Sequence, residues 1–116
     1  METATVVRSL GAAATLGLGL LGLLRPHAAA KFTSLSPVGA LGVSEIRATY
    51  GGLFVALGGL ALLSQEPAAF LVAGVAWAGA AAGRLYSVFV DENRAAKNLG
   101  GVAFEGLLAI LLLFPS

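Results

Sequence analysis

Three charged side chains fall inside long apolar runs: Arg47, Arg84 and Glu105. A charge in the middle of a membrane helix costs about 2.5 to 3.5 kcal/mol on insertion scales, so each needs a partner, a wet cavity or a route to the interface. Arg84 and Glu105 lie roughly 10 and 15 Å from the Asp91-Glu92-Asn93-Arg94 joint by the helical rise. If their helices are antiparallel neighbours, those depths let guanidinium meet carboxylate. Arg47 sits close enough to the start of its helix to reach the interface with its long stem. Glu45, Tyr50, Tyr86 and Asn98 cluster toward the same side. Together, Glu45, Arg47, Tyr50, Arg84, Tyr86, Asn98 and Glu105 form a candidate polar cluster with two readings. One is a pocket open on the basic side that holds an anionic head group or carries a proton. The other is a buried ion pair that fixes helix register.

Other chemistry finds little support. Cysteine is absent, which removes disulfides, thiolate metal sites, iron–sulfur clusters and thiol nucleophiles. His27 is the single histidine and lies in a joint, so neither bis-histidine haem ligation nor a multi-histidine metal site can come from one chain. Ser87 has no histidine or lysine at helical spacing to activate it and no Gly-x-Ser-x-Gly elbow around it. The expectation is therefore a protein that is not an enzyme, with no cofactor and no metal. Seven scattered basic residues and a net charge of +1 give no run that could follow a phosphate backbone, which sets nucleic acid aside as a partner.

The elements that would position the cluster are helices in lipid. Charged residues make up only 11% of the 116, against 58% hydrophobic, too few to solvate a soluble domain's helices. Four apolar segments of about 20 residues, each enough to cross about 30 Å of hydrocarbon, are expected at roughly 5–24, 45–64, 68–90 and 95–114. Arg8, the run Leu10 to Leu24 and Ala28-Ala29-Ala30 imitate a secretory signal, but the segment is expected to be retained as the first span. Pro26 to Phe32 is expected to form a short interfacial helix after it. Ser64-Gln65-Glu66-Pro67 and Asp91 to Arg94 read as tight joints, so the fold expected is an all-α, integral-membrane, up-down-up-down four-helix bundle in one domain, 1–116. Arg25, Lys31, Arg94 and Lys97 lie in the first and third joints and only Arg8 lies toward the other side; the positive-inside rule then puts both termini outside. Gly51, Gly52, Gly58 and Gly59, two pairs spaced by seven, and the Gly79/Gly83 pair are candidate packing positions where helices approach closely.

The run Gly42-Val43-Ser44-Glu45-Ile46-Arg47-Ala48-Thr49-Tyr50-Gly51-Gly52-Leu53 resembles the signature of a bacterial family of small four-helix membrane proteins, domain of unknown function family number 4345. Arg84-Leu85-Tyr86-Ser87, the acidic turn at Asp91 and Glu105 are similar to that family's later motifs, although Glu92-Asn93 stands where members often carry Gly-Pro. The resemblance implies a four-helix fold with a shared polar cluster and no assigned activity. The functional expectation is a non-catalytic accessory or scaffold subunit of a cell membrane, the bacterial inner membrane on this resemblance, binding lipid or other membrane proteins. A homo-oligomer or a larger membrane complex is the expected setting. The alternative is an oligomeric transporter of small solutes or protons that uses the Arg84/Glu105 pair.

Overall fold

The computed structural model describes residues 2–116. It is all-α, with five helices and no strand among the described residues. Helix α1 is Thr3–Leu24 and α2 is Pro26–Phe32, with Pro26 in its first turn where a missing N–H is harmless. Helix α3 runs continuously over Gly39–Ser64 and contains a π-helical turn at Arg47–Gly52. Helix α4 is Pro67–Val90, again opened by proline, and α5 is Ala96–Leu112. The third helix begins six residues before the expected Glu45. Gly39 and Gly42 look like loop residues in isolation, yet Val38 supplies an extended entry and Gly42 packs its backbone beside Pro37.

Helices α1, α3 and α4 are long and apolar enough to cross a membrane. The 17 residues of α5 rise about 26 Å and sit at the short end of the spanning range. Small residues make up much of the buried surface, and many large apolar ones are exposed. Ala12, Thr15, Gly22, Gly58, Ala61 and Ala73 are buried, whereas Leu63, Leu71, Val75, Phe89 and Ile110 point outward. In lipid no hydrophobic force drives large side chains inward, so small residues collect where helices touch.

Helices α1 and α3 run antiparallel at backbone contact. A Cβ on Gly19 would stand 2.5 Å from the Val55 nitrogen, and one on Gly58 would stand 2.5 Å from the Leu16 nitrogen. Gly22 and Gly51 face Tyr50 and Leu23 in the same way. Helices α4 and α5 form a second antiparallel pair, with Gly74 against Leu112 and Leu113. The pairs join through a cluster of Ala12, Ala61, Phe70, Ala73, Trp77, Leu108 and Leu112. At its centre Trp77 Nε1 donates to Thr15 Oγ1 at 2.9 Å, and Thr15 in turn donates to the Gly11 carbonyl at 2.8 Å. Both residues are buried, so each polar atom is satisfied where water cannot reach.

The ends of the molecule are tied separately. Arg8 Nε donates to the Phe114 carbonyl at 2.8 Å, and Ser9 meets Gln65 in the α3–α4 turn. At the opposite end Lys97 Nζ donates to the Lys31 carbonyl at 3.2 Å. Helix α2 buries Pro26 and packs Ala29 and Ala30 against Ile46, Leu21 and Tyr50, leaving His27 and Lys31 exposed.

Candidate functional site

Helical spacing places Asn98, Gly101 and Glu105 on one stripe of α5, and Arg84 faces that stripe from α4. Arg84 Nε donates to Glu105 Oε1 at 2.7 Å, and Nη2 donates to Oε2 at 3.0 Å. This bidentate geometry fits a planar fork to a carboxylate and is among the stronger ion-pair arrangements. Nη1 donates to Asn98 Oδ1 at 3.1 Å, and Asn98 Nδ2 passes the chain on to the Asn93 carbonyl at 3.0 Å. The Glu105 side chain is only 13% exposed, against 37% for Arg84, so the carboxylate depends on its partner more than the guanidinium does. Gly101 makes the crossing possible: a Cβ there would lie 2.8 Å from Arg84 Nε.

The network forms one wall of a cavity of about 870 Å³, within the usual range for small-molecule sites. Its apolar lining includes Leu18, Leu21, Phe32, Phe54, Trp77 and Phe104. Tyr50, Thr33, Ser34, Asn93 and Lys97 complete the polar side. From Asp91 to Trp77 along α4 is about 20 Å, so the cavity runs from the basic joints well into the apolar zone.

Of the polar residues singled out, Tyr50, Arg84, Asn98 and Glu105 line this cavity, and Glu45, Arg47 and Tyr86 do not. Tyr86 is two residues beyond Arg84, about 200° round the helix, and is exposed. Glu45 is exposed near the start of α3. The Arg47 guanidinium turns to α1 instead and donates to the Leu23 carbonyl, one of the acceptors that the last turn of a helix leaves without an internal partner. Among the candidate glycines, Gly51 and Gly58 sit at the α1–α3 contact and Gly59 beside it, Gly52 is exposed with only the Arg47 carbonyl of its own helix near, and Gly79 and Gly83 face open space. The close approaches of the α4–α5 pair belong to Gly74 and Gly101.

Lys97 and Asn93 reach the cavity although sequence reasoning used them only as joint residues; their neighbourhood to Asn98 was the available signal. The Trp77–Thr15 bond spans 62 positions and leaves no local trace. Among the described residues no three His, Cys, Asp or Glu side chains gather as a metal ion would require. The arrangement is a guanidinium–carboxylate lock with hydrogen-bond donors beside it and apolar side chains beyond.

No curated protein and no solved structure matches the chain. A family model does match, over residues 4–115, a span that includes the helix with the π turn and both halves of the ion pair. With nearly its whole length covered, the chain belongs to the family described as Domain of unknown function (DUF4345).

Proposed function

We propose that this chain is a non-catalytic, four-span accessory protein of a cell membrane that holds a membrane amphiphile in the cavity beside Arg84 and Glu105. The observation that carries this reading is the cavity itself, polar at the basic joints and apolar through Phe54, Trp77 and Phe104. Such a gradient matches a molecule with a head group and a hydrocarbon body. The antiparallel pairs α1–α3 and α4–α5, with the two-residue turn at Gln65-Glu66, support an up-down-up-down course in which α5 is the fourth span. The Lys97–Lys31 contact gathers the basic joints at one end. The positive-inside rule then favours a cytoplasmic location for that end and outward termini, in a bacterial inner membrane. Transport through the pair is the weaker reading, because both Glu105 oxygens are engaged by Arg84.

The test is native mass spectrometry of the full chain released from a mild neutral detergent. Retained lipid is the expected result for the parent. Gly100→Phe should lose that lipid, since Gly100 lines the cavity and an added Cβ meets nothing within 4 Å. Equal lipid retention by the two proteins would move the lipid out of the cavity and overturn the reading.

A further inference from the structure

We infer that the cavity is selective for an anionic amphiphile, one whose head is a phosphate or carboxylate oxyanion. The inference rests on the amphiphile-binding reading above and adds the sign and chemistry of the head group. Three charged side chains line the cavity: Arg84, Lys97 and Glu105. The carboxylate accepts one Arg84 N–H on each oxygen, and that guanidinium balances its charge. The Asn98 amide is engaged at both ends, its oxygen by Arg84 and its nitrogen by the Asn93 carbonyl. What remains is mostly donor capacity. Arg84 has five N–H groups and uses three, Lys97 has three and uses one, and the hydroxyls of Tyr50 and Ser34 lie on the same lining.

Two cations against one carboxylate leave a single positive charge at the polar side of a cavity whose remaining walls are apolar. Helix α5 opens at Ala96 with no side-chain cap, and the positive end of its dipole adds to the same sign. A neutral head brings acceptor oxygens without charge, and a zwitterionic head brings a cation that the net positive charge of the lining opposes. An oxyanion matches both the charge and the hydrogen-bond direction, and Lys97 is the cation free to approach it because Arg84 is held in the lock.

Trp77 is the only tryptophan and lines the cavity, so its fluorescence reports occupancy without a label. The experiment titrates the full chain in neutral detergent with dioleoyl phosphatidylglycerol, oleate, dioleoylglycerol and inorganic phosphate. The expected result is that both anionic lipids bind about tenfold or more tightly than dioleoylglycerol, the factor that one charge-assisted contact supplies. Lys97→Gln should weaken both anionic lipids about tenfold and so remove that preference, and Gly100→Phe should abolish binding of all three lipids. The ratio between phosphatidylglycerol and oleate assigns the oxyanion to phosphate or carboxylate. Equal affinity for dioleoylglycerol and the anionic lipids would overturn the head-group inference and leave amphiphile binding standing. Absence of any Gly100-sensitive lipid response would remove both. Phosphate competing as strongly as the lipids would identify a free oxyanion and also overturn the amphiphile.

Discussion

Replacing each half of the Arg84–Glu105 pair with leucine should destabilise the protein unequally. Removing one partner of a buried pair costs about 3 to 5 kcal/mol, because the survivor keeps its desolvation penalty and loses its compensation. Glu105 is 13% exposed and both its oxygens bond only to Arg84, so Arg84→Leu should cost about 3 kcal/mol, the lower end of that range. Glu105→Leu leaves a guanidinium that is 37% exposed and keeps Asn98, which discounts the penalty to about 1.5 kcal/mol. The double leucine variant replaces the pair with apolar volume and should return to within about 1 kcal/mol of the parent. At about 4 °C per kcal/mol for a chain of this size, thermal unfolding in detergent should show losses of about 12 °C, about 6 °C and at most about 4 °C. The double-mutant cycle then gives a coupling of about 3.5 kcal/mol. A larger loss for Glu105→Leu than for Arg84→Leu would refute the burial argument. A double variant no better than the worse single would refute the pairing argument.

The glycines divide sharply under the same assay. Gly58→Ala and Gly19→Ala each set a Cβ 2.5 Å from backbone nitrogen on the facing helix and should cost about 1 to 3 kcal/mol, while Gly79→Ala and Gly83→Ala meet open space and should stay within about 0.5 kcal/mol of the parent. Thr15→Val strands the Trp77 indole N–H in the core and should cost about 1 to 3 kcal/mol, with Thr15→Ser close to the parent; chemical denaturation reads both. Gly101→Ala presses on Arg84 Nε and should approach the stability of Arg84→Leu if the guanidinium is displaced from Glu105, an outcome checked by repeating the cycle in that background.

How much of this was legible beforehand depended on how local the cause was. Apolar length and the prolines at 26 and 67 mark α1, α2 and α4 because hydrocarbon thickness and a missing N–H act within one element. The meeting of Arg84 with Glu105 followed from depth, since two charges roughly 10 and 15 Å from one joint on neighbouring helices lie within side-chain reach of each other. Contacts that depend on rotation about a helix axis were not legible. Glycine spacing shows a smooth face without saying which neighbour uses it, so Gly79 and Gly83 looked equivalent to Gly51 and Gly58. Arg47 and Tyr86 share a membrane level with Arg84 yet point elsewhere. Depth is written in residue number, whereas azimuth is decided by every helix packed alongside.

The π turn at Arg47–Gly52 is where the azimuth of α3 changes. Ile46 and Gly51 are both buried although five residues apart, a spacing that an unbroken α-helix would put about 140° away from one face; beyond the turn, Gly58 and Ala61 resume the α spacing. The segment acts as a slack link, holding one residue beyond what the α-helical path needs. Loss of one residue elsewhere in α3 would rotate everything on one side of it by about 100° and separate Gly58 from Leu16. Loss of one residue here would close the turn into ordinary helix and leave both flanks facing as they do. Variation in the length of this helix is therefore best absorbed within those six positions, beside the arginine that ties them to α1.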